Sequence, residues 1–373
     1  MFDYAKYYLN PAVMLASIWG IWAGGNYTWL GFGILVGILI LDSMLPPDHS
    51  VRDQRFPWIY DLAATLALLA GFTQIFLYAW LIGQGHFTTN SAGIGAFVTM
   101  MFTQFVIAAP ALHEMFHREQ LFQRWLGRIG MVMIFDPWRE ITHVVTHHIH
   151  TATPDDPDYA RRGENLYRHL ALTFWGQFRE SYHLERQMWT KRERVWFDPR
   201  NAWVWRVGIL IVFAALLFAI GGMKGMLLSI AICLLGPRLL LEIFNYTQHY
   251  GLVTGTPGRF EPRHTWNHLT PFVRVLALEI TNHAGHHEDS YRPFYALVPD
   301  RSGPKQPPFL ICVLLALVPP LWFAMIRPRL AKWDRTYATP QERELAEVEN
   351  ERAGWGRINA EPELARDRFV AVP

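Results

Sequence analysis

Residues 143–148 read HVVTHH, and the rest of the chain is organised around this stretch and three others that carry histidines. The others are HEMFH at 113–117, NYTQHYGL at 245–252 and HAGHH at 283–287. Residues i, i+3 and i+4 of an α-helix share one face, so three of the four stretches place imidazoles in a row. These rows are His113/His117, His143/His147 and His283/His286/His287, while His148 points off the face of the second row.

Nine imidazoles are more than one metal ion needs, because a tetrahedral zinc site uses at most four ligands. The sequence therefore predicts more than one metal ion, with the doublets serving two ions side by side. Imidazole suits iron, copper, zinc and nickel, and the scarcity of thiolates argues against a soft metal. The candidate ligands are His113, His117, His143, His147, His148, His249, His283, His286 and His287.

The composition indicates where this site lies. Of 373 residues, 51% are hydrophobic and 18% charged, with 16 Trp and 24 Phe, and the apolar residues fall in blocks. This predicts an all-α polytopic membrane protein of about six transmembrane helices. We expect a membrane-embedded domain over 1–326 and a charged cytoplasmic tail over 327–373. The predicted spans are 11–24, 29–45, 58–82, 92–112, 204–220 and 225–244, of which the first is short for a bilayer and the second is marginal.

Loop charges predict the orientation. The connections 24–28 and 83–91 carry no Lys or Arg, and 221–224 carries one Lys. The loop at 45–57 holds two arginines, and the segment 112–203 is rich in arginine. The positive-inside rule then places both termini, and with them every histidine cluster, on the cytoplasmic side of a bacterial-type inner membrane.

The C-terminal part adds two expectations. Leu310–Ile326 is apolar but broken by Pro319 and Pro320, so we expect it in the membrane interface or packed on the bundle, with Trp322 as an interfacial anchor. Further on, Thr339 to Glu342 forms a capping box, which predicts a solvated helix ending near Gly354.

Cysteine usage and nucleotide motifs exclude several functions. Cys233 and Cys312 lie singly in apolar segments, which predicts neither disulfides nor an iron–sulfur cluster. The chain has no GxGxxG after a strand and no P-loop, so we expect it to bind no flavin or nicotinamide. Redox chemistry would need electrons from a partner. We expect no nucleic-acid partner, and the sequence leaves the oligomeric state open.

Carboxylates are expected near the histidines, since two divalent ions bring a charge of about +4 into a region of low dielectric. Such carboxylates would accept hydrogen bonds from the ligand imidazoles. The candidates are Glu114, Glu140, Asp155, Asp156, Asp158, Glu242, Glu279, Glu288 and Asp289.

Three other interpretations compete. HEMFH matches the HExxH pattern of zinc peptidases, but one zinc site would leave the other histidines unused. A metal transporter would spread its ligands along a path across the membrane. A membrane fatty-acid desaturase would share the histidine clusters and is hard to separate by spacing. Isolated histidines are more often core residues than ligands; this applies to His49, His86, His150, His169, His183, His264 and His268.

Longer stretches of the sequence resemble the integral-membrane alkane hydroxylase/xylene monooxygenase family, and most closely its xylene and p-cymene monooxygenase branch. They include HEMFHR (113–118), THVVTHHIHTATPDDPD (142–158), NYTQHYGLV (245–253) and NHAGHHEDSYRPFYAL (282–297), together with DPWREITH, EITNH, PPLWFAMI and WDRTYATPQERELA. The likeness covers essentially the whole chain. Thr146 and Gln248 depart from the alkane pattern, where Gly and Glu are usual.

The resemblance implies a non-haem di-iron monooxygenase that uses O2 to hydroxylate a methyl group of a toluene-, xylene- or p-cymene-type hydrocarbon. It implies that the nine histidines bind two Fe ions. It also implies a soluble NADH-dependent reductase with flavin and an iron–sulfur centre as electron donor, and an apolar substrate that enters from the bilayer. Terminal hydroxylation of alkanes is the alternative that stays open.

Overall fold

The computed structural model describes residues 2–356, which fold entirely as helices, turns and loops without a β-strand. The predicted all-α class is confirmed. The helices of six residues or more are α1 (Leu9–Ala23), α2 (Leu30–Ser43), α3 (Pro57–Gly83), α4 (Asn90–Phe116), α5 (Leu121–Gly130), α6 (Leu166–Lys191), α7 (Ala202–Cys233), α8 (Leu239–His249), α9 (Pro271–Leu276), α10 (His283–Glu288), α11 (Phe309–Ala316), α12 (Pro319–Thr336) and α13 (Pro340–Arg352). Shorter α-helical turns lie at Phe2–Ala5, Arg139–Thr142 and His148–His150.

Four stretches of the described chain are long and apolar enough to cross a membrane: Gly25–Ser43, Pro57–Gly83, Asn90–Phe116 and Ala202–His249. The last contains two of the predicted spans, because the helix breaks at Gly222, where φ is 64°. The first predicted span forms the 15-residue α1, whose length of about 22 Å is less than a hydrocarbon core of about 30 Å. The number of six spans therefore stays a prediction.

The three short, arginine-poor connections meet at one end of the bundle. A Cβ atom added to Gly83 would lie 2.9 Å from the Cα of Gly221, and one added to Gly24 would lie 3.0 Å from the ring of His86. Only glycine permits such close approach at residue 221, where a Cβ would meet the carbonyl oxygen of Ala79 at 2.2 Å. From this end α4 carries the chain about 40 Å to the first histidine stretch in its last turn.

The C-terminal helices pack against the body of the protein. Helix α12 continues through residue 326, which is the predicted end of the membrane-embedded domain. Trp322 was predicted to anchor the interface, but this is wrong, because it is fully buried against the rings of Tyr246 and Tyr250. The prediction of a solvated α13 is wrong for its inner face, where Glu342 and Glu349 are buried. Residues 357–373 of the predicted tail lie outside the described residues.

Arg162 connects this C-terminal region to the end of α8. Its guanidinium donates to Asp334 at 2.6 Å, to the side-chain oxygen of Asn350 at 2.9 Å and to the carbonyl of Gly251 at 2.8 Å. A buried arginine that lost one of these acceptors would carry an unsatisfied charge, so the contacts fix α12 and α13 beside the histidine region.

Candidate metal centre

Eight of the nine predicted histidines form two compact groups of four. All eight are buried, and within each group the ligand nitrogens lie within 4.8 Å of one another. Site A comprises His113, His117, His143 and His286. Site B comprises His147, His249, His283 and His287. The HVVTHH and HAGHH stretches each contribute to both sites, so the two sites lie side by side.

His148 belongs to neither group of four but lies between them. Its Nε2 is 3.2 Å from the Nε2 of His143 in site A. Its ring centroid lies 4.8 Å from that of His286 and 4.5 Å from that of His287. The structure therefore brings all nine predicted histidines together, with His148 in contact with members of both sites.

Three π-helical turns shape the backbone around the histidines. They lie at Gln104–Ala108 before His113, at His143–His147 itself, and at Leu234–Arg238 before His249. Pro110 and Pro237 lack a backbone N–H, which removes a helical hydrogen bond and favours such irregular turns. Single π-turns inside α-helices are frequent at functional sites.

The spacing of the nitrogens fits a metal ion in each site. The Nε2 atoms of His113 and His143 are 2.9 Å apart in site A; in site B the Nε2 atom of His283 lies 2.8 Å from that of His249 and 3.1 Å from that of His287. Two nitrogens bound to one ion at about 2.1 Å and at right angles are about 3.0 Å apart. A neutral imidazole has only one N–H, so these rings cannot form a hydrogen bond at every one of the short Nε2–Nε2 contacts. A cation between them would instead accept their lone pairs.

Burial favours the neutral form of His143, His283 and His286, which leaves a lone pair free on each ring. Desolvation lowers the pKa of His286 to about 3. Desolvation and the neighbouring imidazoles lower the pKa of His143 and of His283 well below the usual range. Because metals bind the neutral form of histidine, the site is prepared for a cation at neutral pH.

Every histidine of site B is oriented through its Nδ1 atom. The Nδ1 of His147 lies 2.8 Å from Asp156 Oδ2, and that of His287 lies 3.3 Å from Thr151 Oγ1. The other two Nδ1 atoms face backbone carbonyls: His249 that of His264 at 3.4 Å, and His283 that of Ile280 at 3.2 Å. An acceptor at Nδ1 fixes the tautomer and leaves Nε2 for a metal. Site A differs, since both ring nitrogens of His117 and the Nδ1 of His143 are buried without a hydrogen-bond partner among the described residues.

Of the predicted carboxylates, only Asp156 and Asp158 approach a histidine ring. Asp158 lies 3.8 Å from the Nδ1 of His147 and accepts hydrogen bonds from Gln177 and Asn245. Desolvation alone would lower the pKa of His147, but the attraction of Asp156 outweighs it and raises that pKa. Asp156 and Asp158 are thus the predicted acidic side chains that lie next to an imidazole of site B.

The other predicted carboxylates have different partners. Glu114 pairs with Arg118, Glu140 with Arg128 and Arg206, Glu242 with Arg139 and Arg238, and Glu279 with Arg52 and Arg274. Asp155 and Glu288 are exposed, and Asp289, half-exposed, lies 3.5 Å from Arg292. Of these carboxylates, only Glu242 is connected to Asp158 by shared hydrogen-bond donors, because Gln177 and Asn245 donate to both Glu242 and Asp158.

None of the histidines set aside as core residues belongs to either site among the described residues. His264 nevertheless touches site B through its backbone carbonyl. Thr151 and the carbonyls of residues 264 and 280 were not foreseen, because a backbone acceptor leaves no signature in the sequence. Thr151 follows the histidine stretch by a few residues, but a threonine there has no distinguishing pattern.

Two adjoining cavities, together called the apolar passage below, lie beside the histidines. One cavity is lined by His113, His143 and His283, with Arg139 and Asn245 as its other polar residues and an otherwise apolar wall. A second cavity, apolar except for Thr281, shares part of that wall and extends to Leu39 and Phe309. The residues lining both are Ala109, Leu241, Phe244 and Ile280. The imidazoles of His113, His143 and His283 thus border cavities whose walls are mainly apolar.

The sequence is similar to those of several known proteins. Residues 88–301 match the fatty acid desaturase family. The chain is 34% identical to the hydroxylase component of xylene/toluene monooxygenase from Pseudomonas putida, over 98% of this chain and 99% of that one. It is 27% identical to alkane 1-monooxygenase 2 of Alcanivorax borkumensis, over 86% and 87% of the two chains. It is 28% identical to alkane 1-monooxygenase 1 of Pseudomonas aeruginosa, over 78% and 74%.

Helices of membrane-spanning length, paired histidine sites and these relatives together define a membrane monooxygenase. The chain belongs to the integral-membrane alkane hydroxylase/xylene monooxygenase family, which confirms the resemblance seen in its motifs. It is an oxygen-dependent oxidoreductase with a histidine-rich site for non-haem iron, and it draws electrons from a redox partner.

Proposed function

We propose that this protein is a di-iron hydroxylase that converts a methyl group of an alkyl-substituted aromatic hydrocarbon to an alcohol. The observation that carries the proposal is the pair of four-histidine sites beside the apolar passage. The reaction consumes O2, two electrons and two protons, and yields the alcohol and water.

Iron fits the two sites better than zinc does. Zinc has no redox chemistry, whereas an oxygen-dependent oxidoreductase needs a metal that changes oxidation state, and imidazole is a suitable ligand for iron. In the proposed assignment sites A and B each hold one iron, and His148 supplies the ninth imidazole from between them. When bound, the irons would pass electrons from the redox partner to dioxygen.

The protein's own residues position the substrate and the ligands. The apolar wall formed by Ala109, Phe244 and Ile280 would hold the hydrocarbon and exclude water from the imidazoles. Asp156 and Thr151 orient two imidazoles of site B. Arg139 and Asn245 are polar groups of the cavity wall where an oxygen atom of the product could accept a hydrogen bond.

The aromatic substrate is proposed from similarity and from the passage. The relative at 34% identity is named for xylene and toluene, and the relatives named for alkanes are less similar, at 27% and 28%. Phe244 and Phe309 give the passage aromatic surfaces, which suit flat rings. Terminal alkane hydroxylation is the second candidate, supported by the same family membership.

The electron donor would be a soluble NADH-dependent reductase carrying flavin and an iron–sulfur centre. The two cysteines are buried and lie in separate helices, and burial raises the pKa of the Cys312 thiol, so neither resembles a cluster ligand. We further propose that the histidine sites face the cytoplasm of a bacterial inner membrane, with both termini on that side.

Product analysis with purified protein tests the proposal. Membranes or detergent-purified protein are supplied with the reductase, NADH and, separately, toluene, p-xylene, p-cymene and octane. We expect benzylic alcohols from the aromatic substrates, two irons per chain and little octanol. Predominant octanol would favour the alkane candidate. A desaturated product, or one zinc per chain without iron, would overturn the proposal.

A further inference from the structure

His249 is the ligand of site B whose own stretch contains no other histidine. It ends α8, so no neighbouring turn of helix on its C-terminal side fixes its ring. Its Nε2 lies 2.8 Å from the Nε2 of His283, and its Nδ1 lies 3.4 Å from the carbonyl oxygen of His264. The position of residue 264 therefore contributes to the orientation of this ring, together with the neighbouring imidazoles.

Residues 261–266 run along the end of α8. The backbone N–H of Trp266 donates to the carbonyl of Gln248 at 2.8 Å, and the hydroxyl of Thr265 donates to the same oxygen at 3.1 Å. The indole N–H of Trp266 donates to the carbonyl of Tyr250 at 3.0 Å. These bonds satisfy carbonyls left open at the helix end and bring the carbonyl of His264 next to His249.

The C-terminal helix holds the other side of this segment. The Nε2 of His264 lies 2.7 Å from Glu342 Oε1, in the first turn of α13. The backbone N–H of Glu261 donates to the Nδ1 of His264 at 3.1 Å, so the ring proton of the neutral form is on Nε2 and points at Glu342. Glu342 also accepts from Arg263 at 3.0 Å and is only 2% exposed. The buried carboxylate of Glu342 therefore holds residues 261–266 in place through His264 and Arg263.

We propose that Glu342 and His264 are positioning residues for the metal ligand His249, and that α13 therefore helps to complete site B. The proposal rests on the proposed di-iron function. Contacts run from Glu342 to the ring of His264, and from the carbonyl of His264 to His249. Hydrogen-bond partners that orient ligand histidines commonly change metal affinity by about 10- to 100-fold when removed.

Glu342 also caps the N-terminus of α13, and the test must distinguish this role from its contact with His264. The backbone N–H of Thr339 donates to Glu342 Oε2 at 2.8 Å, and the hydroxyl of Thr339 accepts from the N–H of Glu342, which is a capping box. Thr339→Ala weakens this cap and leaves the contact with His264 in place. Glu344→Gln removes a charge from an exposed position of the same helix. These two variants are the matched controls.

The experiment measures iron per chain and the Mössbauer signals of protein loaded with isotopically enriched iron, in detergent-purified full-length variants. We expect Glu342→Ala and His264→Ala to bind one iron about 10-fold or more weakly, with one of the two iron signals altered and the other unchanged. Thr339→Ala and Glu344→Gln should keep both irons. Glu342→Gln, which retains an acceptor for His264, should recover most of the loss.

Unchanged iron content and spectra in both Glu342→Ala and His264→Ala would overturn the inference. So would an equal loss from both sites, or an equal effect of Thr339→Ala, because either would indicate a general loss of stability. His264→Ala leaves the capping box intact, so it decides the matter if Glu342→Ala does not fold. A wild-type protein without two irons would instead refute the proposed function.

Discussion

The Nδ1 atom of His147 lies 2.8 Å from Oδ2 of Asp156, and both side chains are buried. Their ring and carboxylate are nine residues apart in sequence. The contact directs the Nε2 of His147 toward the other nitrogens of site B, and Asp156 supplies negative charge next to a cation site. An imidazole held in this way loses less conformational entropy when it binds a metal.

We expect Asp156→Ala to lower the metal affinity of site B by about 10- to 100-fold, because His147 loses its acceptor. Iron content after equilibration with a chelator of known affinity measures the effect. Asp155→Ala is the control, since Asp155 is the exposed neighbour and is expected to leave affinity unchanged. Equal affinities in the two variants would contradict the role of Asp156.

Alanine at His147 or His287 should reduce iron from two per chain toward one or none and abolish turnover. Each substitution removes one of the four nitrogens of site B. His150→Ala is the control, because His150 lies in the same segment, belongs to neither site and is expected to retain both irons. Iron analysis of purified protein decides, and full iron in His287→Ala would show that site B is not a metal site.

Ala109→Leu should narrow the passage where its two cavities join. The added methyl groups would enter space lined by Phe244 and Ile280, so kcat/KM for p-cymene should fall by about 10-fold and that for the smaller toluene by less. Iron content should not change. Ile94→Phe, on the exposed side of the same helix, is the control and should leave both substrates unaffected. An equal loss for both substrates would argue against a size effect.

Charge reversal at Arg192 and Arg194 should slow reductase-dependent turnover at subsaturating reductase. Both arginines are exposed just beyond α6, where they could steer an acidic partner, and steering weakens as salt shortens the field to about 10 Å at 0.1 M. Arg343→Glu on α13 is the control for net charge. A rate indifferent to salt and to both reversals would leave the external donor in place but remove this docking surface.

A topology reporter fused after Gly85 or Met223 should give a periplasmic signal, and one fused after Arg200 a cytoplasmic signal. The first two positions lie in connections that meet at one end of the bundle, through Gly83 and Gly221. The arginine-rich segment and the histidines lie at the other end. A periplasmic signal after Arg200 would reverse the proposed orientation of the metal sites.

The ligand types, the fold class and the family could be predicted without coordinates, because each rests on a local pattern. Histidines recur at helical spacing, apolar residues fall in blocks, and the cysteines are too few for a cluster. The C-terminal region was harder to predict. Trp322 and Glu342 look like an interfacial anchor and a helix cap, and only packing against α8 and residues 261–266 makes them buried.

The division of the histidines into two sites came from the tertiary structure alone. His143 and His147 form one row in a regular helix, yet they join different sites because α4 supplies partners to one and α8 to the other. Likewise, Asp156 contacts His147 whereas its neighbour Asp155 is exposed. Glu140 and Glu279 form ion pairs with arginines that are distant in sequence. Spacing identifies the groups available for coordination, whereas the approach of separate helices decides which nitrogen and which carboxylate come within 3 Å.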